Sequence, residues 1–167
     1  WVLKSPPHLL DLDALLSVYP DARLVQTHRD PFRIMASLSN LVYTIRKLGA
    51  PDTDPHDLAR SVIELWGTVA ARGAAARTDR SVDERVLDIA YRDLVGDPTA
   101  AVRTIYDHFG IDFTDEFAAR LKAFLAADAA EDRAPHRYDG TKFGIERAHV
   151  EAAFSGYYDA YRGVCAE

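Results

Sequence analysis

Cysteine is almost missing from this chain: Cys165 stands alone near the C-terminus. One thiol makes neither an internal disulfide nor a zinc cluster, so nothing calls for an oxidising compartment and the cytoplasm is the expected one. Long apolar runs are missing too. No stretch approaches the roughly 20 residues that cross a bilayer, and no basic segment followed by an apolar run has the form of a leader. Basic clusters are equally scarce, with 20 Lys and Arg against 26 Asp and Glu and a net charge of −6. Nucleic-acid surfaces neutralise phosphates with clustered cations, so no nucleic-acid partner is expected and any anion must be held locally. His28, His56, His108, His136 and His149 show no paired helical spacing with a carboxylate, and no metal site is expected. A Gly-x-Ser-x-Gly hydrolase turn is also absent.

What remains is an ordinary globular composition. The 167 residues, 48% of them hydrophobic, are enough for one domain with its own core, and nothing marks an internal boundary. Three short apolar runs read as buried parallel strands: WVLK at 1–4, ARLVQTH at 22–28 and RVLDIAY at 85–91. Helical periodicity follows at about 8–19, 31–47, 55–78, 98–109, 113–128 and 146–163, an alternation that predicts an α/β fold. Leu58, Val62, Leu65, Trp66 and Val69 form a stripe expected to face the sheet. Asp-Pro occurs at 30–31, 54–55 and 97–98, each time before a helical pattern. Asp accepts orphan backbone N–H groups and Pro suits the first helical position, so these pairs mark helix starts. The opening WVLKSPP has no Met and no lead-in to its apolar run, which predicts that an N-terminal part lies upstream.

The stretch HRDPFRIMASLSNL at 28–41 places Arg29 at a strand end and Ser37 six residues into the helix opened by Pro31. At 1.5 Å per residue that is about 9 Å along the axis, much of it within reach of an arginine side chain. Ile34, Leu38, Leu41 and Ile45 form a stripe for the core, with Ser37 at its edge. The guanidinium and the hydroxyl then converge on one tetrahedral anion, at the C-terminal strand end where open α/β sheets bind ligands. The spacing equally allows Arg29 to pair with a nearby carboxylate and Ser37 to bond back to its own helix.

WVLKSPPHL, PDARLVQTHRDPFRIMASLSNL, VLDIAYRDLVGDP and HRYDGTKFG together resemble, in order and interval, the landmarks of the sulfotransferase family, in its bacterial branch with Leu-Lys-Ser-Pro-x-His and His-Arg-Asp-Pro signatures. The resemblance covers nearly the whole chain. It implies a nucleotide-kinase-like (P-loop) parallel sheet flanked by helices, and transfer of a sulfuryl group from 3′-phosphoadenosine 5′-phosphosulfate to a hydroxyl or amine. It implies that Arg29 and Ser37 hold the donor's 3′-phosphate and that Lys4 stabilises the transferring sulfonate and its leaving group. His8 is a candidate base for the acceptor proton, the alternative being a histidine that shapes the acceptor pocket. Tyr91 would close the third strand and contact the adenine region, or else pack below the site, with Asp93 fixing the turn. Arg137, ahead of Lys142, would add a second cation from a loop folding over the donor, with Tyr138 and Phe143 as its anchors.

The family's 5′-phosphosulfate loop, whose backbone N–H groups cradle the anion, has no counterpart in these residues. Positions 1–167 therefore read as the C-terminal portion of a larger domain, without its N-terminal strand and phosphate loop. An upstream segment or a second chain is expected to complete the sheet, and the fragment by itself is expected to be inactive. A small-molecule, carbohydrate or lipid acceptor is implied, without a choice among them. The alternative is a sulfotransferase-like module that holds a nucleotide or partner without catalysis.

Overall fold

The computed structural model describes residues 2–130 and 140–165. Two strands, β1 (Leu24–His28) and β2 (Val86–Ala90), pair in parallel with Leu24 opposite Val86 and His28 opposite Ala90. Before β1 come a 3-10 turn (Pro6–Leu10) and α1 (Leu12–Val18). Between the strands run α2 (Pro31–Arg46), α3 (Pro55–Ala76) and the short α4 (Arg80–Asp83); after β2 follow α5 (Tyr91–Gly96), α6 (Pro98–His108) and α7 (Asp115–Ala130). A 3-10 turn (Gly140–Phe143), α8 (Arg147–Ala153) and α9 (Ser155–Cys165) complete the described residues. The α/β expectation holds.

All three Asp-Pro pairs start helices as their chemistry requires. Asp30 accepts the Phe32 amide, Asp54 accepts those of His56 and Asp57, and Asp97 accepts that of Ala100. In each case Pro takes the first helical position, where its missing N–H leaves no partner unsatisfied.

The core gathers where α3 meets α2, α8 and α9. Leu58, Val62, Ile63 and Ala70 of α3 pack with Met35 of α2 and with Val150, Phe154, Tyr157, Tyr158 and Tyr161. Gly67 lets α8 approach α3 closely, since a Cβ there would meet the Ala153 carbonyl oxygen at 2.5 Å.

Several expectations are corrected. Residues 2–4 form no strand, and Val2 and Leu3 are exposed. A strand is held by a ladder of backbone hydrogen bonds, and β1, which shares a cavity lining with Leu3 and Lys4, ladders only with β2 among the described strands. The helix expected at 8–19 is split at Asp11, whose φ of −139° is not helical. The stripe on α3 packs chiefly on other helices rather than on the sheet, with Leu65 left exposed and Ile63 buried instead. On α2, Ile34 and Leu38 pack against the core, whereas Leu41 and Ile45 are exposed: the covered face runs through Met35, Ser39, Val42 and Tyr43, and these two lie off it. The helix expected at 146–163 is interrupted at Phe154. Tyr91 does not close the strand: register ends at His28 opposite Ala90, where β1 turns away, so Tyr91 has no partner and opens α5.

Candidate functional site

The C-terminal end of β1 is fixed from below. His28, 1% exposed, sets Nε2 2.7 Å from Asp88 Oδ1 and Nδ1 2.8 Å from the Tyr157 hydroxyl. A carboxylate only accepts, so Nε2 donates to Asp88. Asp88 also receives Arg77 through two parallel bonds, Nη1 to Oδ1 at 2.6 Å and Nη2 to Oδ2 at 2.7 Å. Arg77 caps the end of α3 and further donates to Asp83 at 2.8 Å and Gln26 at 3.1 Å. One buried network thus ties β1, β2, α3 and α9 together. Burial works to raise the Asp88 pKa, but the bonds and charges of Arg77 and His28 outweigh it and hold the carboxyl well below the usual range. Desolvation opposes the charge on Arg77 as well, yet bonding to Asp88 and Asp83 leaves its pKa raised. Burial pushes the Tyr157 hydroxyl up.

On the other side of Arg29, Asp30 does more than cap α2. Its Oδ1 accepts the Tyr158 hydroxyl at 2.5 Å beside the Phe32 amide at 3.1 Å, and its Oδ2 accepts both terminal nitrogens of Arg147 at 3.3 Å. Partial burial would raise its pKa; Tyr158, the Phe32 amide and Arg147 reverse that and lower it. The Arg147 guanidinium also lies 4.3 Å over the Phe32 ring.

Arg29 itself, half-buried, stacks its guanidinium 4.4 Å over the ring of Tyr91. Two residues expected at the donor site therefore meet, one from the end of each strand. Ser37 sits half-buried on α2, six positions beyond Pro31. Lys4 and His8 are both exposed, and both line a cavity of about 260 Å³ along the free edge of β1 with Leu24, Gln26 and Thr27. Arg29 thus meets Tyr91, and Lys4 and His8 line one cavity that neither Arg29 nor Tyr91 lines. A second cavity, about 560 Å³, lies beyond β2; Asp93, expected to fix the turn after Tyr91, lines it, whereas Lys4, His8, Arg29, Ser37 and Tyr91 do not. Arg137 and Tyr138 lie outside the described residues. Lys142 is engaged 4.0 Å over Tyr43, and Phe143 is buried as expected of a loop anchor. Among the described residues no group of three or more His, Cys, Asp or Glu is placed to hold a metal ion.

Sequence reasoning missed the supports beneath Arg29. One signal was available: Asp88 interrupts the apolar run VLDIA, and a carboxylate in a strand flanked by helices must find a partner. The grip of Tyr158 and Arg147 on Asp30 had no local signature, because these residues lie 128 and 117 positions away.

Comparison with known proteins gives the family and the fold. The model of the sulfotransferase family matches residues 1–115, the span that carries Lys4, His8, Arg29, Ser37 and Tyr91. The omega-hydroxy-beta-dihydromenaquinone-9 sulfotransferase Stf3 of Mycobacterium bovis is 27% identical over 96% of this chain, and the Mycobacterium tuberculosis Stf3 matches to the same extent. The crystal structure of sulfotransferase STF9 from Mycobacterium avium superposes with a TM-score of 0.83 at 31% identity over 96% of the chain. That of STF1 from Mycobacterium tuberculosis gives 0.72 at 33% identity over 93%. The chain spans about 40% of the length of Stf3 and 41% and 39% of the two solved structures. With two parallel strands delivering Arg29 and Tyr91 to one end of the sheet, and with family landmarks running from Trp1 through α6, this chain belongs to the sulfotransferase family.

Proposed function

We propose that this chain is part of a sulfotransferase that moves a sulfuryl group from 3′-phosphoadenosine 5′-phosphosulfate to a hydroxyl or amine acceptor. The observation that carries the reading is Arg29, held at the C-terminal end of β1 between two anchored neighbours and stacked on Tyr91. A fixed planar cation at a strand end suits a phosphate, and the ring beside it suits a purine. In this reading Arg29 and Ser37 hold the 3′-phosphate, Tyr91 lies by the adenine, and Arg137 adds a second cation. Lys4 neutralises charge where the sulfur–oxygen bond to the 5′-phosphate breaks, and His8 takes the proton as the acceptor oxygen or nitrogen bonds to sulfur.

Lys4 and His8 face the free edge of β1, so residues 1–167 act as one part of a larger sulfotransferase domain in which another segment, upstream or from a second chain, completes the sheet and supplies the 5′-phosphosulfate cradle. Residues 1–167 taken alone would then be inactive. No described helix is long and apolar enough to cross a membrane; a cytoplasmic place of action is part of the same proposal. Stf3 is named for a hydroxylated menaquinone, so a lipid alcohol stands among the acceptors, beside carbohydrates and small molecules.

The test is the binding of 3′-phosphoadenosine 5′-phosphate against adenosine 5′-phosphate to the full-length protein. Arg29→Ala is expected to weaken the former by about 10- to 100-fold, the worth of a charge-assisted contact, and to leave the latter nearly unchanged. Equal affinity for the two nucleotides in the unaltered protein, or no loss in the variant, overturns the reading.

A further inference from the structure

Arg29 lies between two residues that are each gripped by the C-terminal helices. His28 is bonded to Tyr157 of α9 at 2.8 Å, and Asp30 to Tyr158 of α9 at 2.5 Å and Arg147 of α8 at 3.3 Å. An Asp cap needs only the first amides of its own helix, and the Phe32 amide already supplies that. The remaining acceptor sites of Asp30 are filled from α8 and α9, and Arg147 in addition covers the Phe32 ring. These contacts fix the junction in both directions. They set where the chain leaves β1, and so where the Arg29 side chain begins. They also set the first turn of α2, and so the place of Ser37 further along it.

We propose that Tyr158 and Arg147 are positioning residues for the 3′-phosphate grip: by holding Asp30 they align Arg29 and Ser37 on one anion. The inference rests on the reading that these two residues bind the 3′-phosphate. Bidentate recognition of a phosphate by a guanidinium is geometrically demanding, and a site tolerates misplacement of only about half an ångström. A junction held by its cap alone keeps the helix but not that alignment.

The test uses the full-length protein, with affinities for 3′-phosphoadenosine 5′-phosphate and adenosine 5′-phosphate measured side by side. Tyr158→Phe removes one hydroxyl and is expected to weaken the bisphosphate by about three- to tenfold, the equivalent of one hydrogen bond, while the monophosphate is unaffected. Arg147→Gln is expected to act in the same direction, and Arg147→Lys to restore part of the loss. In the Arg29→Ala background, Tyr158→Phe should cause a clearly smaller fractional loss, only the part that passes through Ser37, because the part that passes through Arg29 is already gone. Equal weakening of both nucleotides, or the same fractional loss with Arg29 already removed, would show a merely structural role and overturn the proposal. So would an unchanged ratio in Tyr158→Phe while Arg29→Ala collapses it. If Arg29→Ala itself leaves the ratio unchanged, the 3′-phosphate reading falls, and this inference with it. Should Tyr158→Phe not fold, the half-exposed Arg147 carries the same comparison alone.

Discussion

Asp88→Asn probes the network under the site most directly. The carboxylate takes three bonds, from His28 Nε2 at 2.7 Å and from Arg77 at 2.6 and 2.7 Å. An amide keeps one acceptor oxygen and turns an NH2 group towards a donor, either the imidazole N–H or the guanidinium. It also removes the charge facing Arg77, whose side chain is only 6% exposed. Stripping one partner from a fully buried pair costs about 3–5 kcal/mol. Here Asp88 is 29% exposed and Arg77 keeps Asp83, which reduces the expected loss to roughly 2–4 kcal/mol. At about 2 cal/mol/K per residue that corresponds to a Tm drop of roughly 6–11 °C for a unit of 167 residues, and roughly 2–5 °C for a unit of its relatives' length. Thermal unfolding followed by far-ultraviolet circular dichroism, with a urea titration beside it, reads this directly. Asp83→Asn serves as the comparison: its side chain is 52% exposed, and the expected loss is below about 1 kcal/mol. A loss in Asp88→Asn no larger than in Asp83→Asn would refute the idea that the partly buried ion pair ties the end of α3 to the strands.

Acid should act through the same groups. Asp88 and Asp30 have folded-state pKa values below the ordinary 3.8, so their contribution to stability is full above that value and is lost as pH falls towards the folded values. Urea midpoints should be level near neutrality and decline below about pH 4, and Asp88→Asn should flatten that decline; an identical acid limb in the variant would contradict the assignment. Gly67→Ala should destabilise by about 1–3 kcal/mol, because its Cβ would lie 2.5 Å from the Ala153 carbonyl oxygen and push α8 off α3. Gly163→Ala on α9 has nothing within 4 Å of the new Cβ and should instead stabilise by about 0.5–1 kcal/mol, as alanine does inside a helix. Denaturant titrations giving both substitutions the same sign would show that the close approach of α3 to α8 is not tight.

Elements whose cause lies within a few residues were legible in the sequence. Each Asp-Pro pair starts a helix because the cap and the amides it satisfies are neighbours in the chain. The runs at 22–28 and 85–91 contain the strands Leu24–His28 and Val86–Ala90 because their apolar, β-branched pattern suits a sheet, and these pair with each other. The run at 1–4 carries a similar pattern, yet residues 2–4 are not a strand, because a strand also needs a ladder of backbone bonds and β1 ladders only with β2 among the described strands. Leu41 and Ile45 have helical spacing like Ile34 and Leu38, yet only packing against α3 and α8 decides which of them are buried.

The same division runs through the site. By itself the sequence determined that a cation, Arg29, follows a strand and precedes a capped helix carrying Ser37, since backbone preferences and capping are local. Only the tertiary structure decided what surrounds that cation: the Tyr91 ring from the other strand, the His28, Asp88 and Arg77 network below, and the hold of Tyr158 and Arg147 on Asp30. Those contacts join residues as many as 129 positions apart, and a buried charge or hydroxyl takes whichever partner the packing of helices brings within about 3 Å.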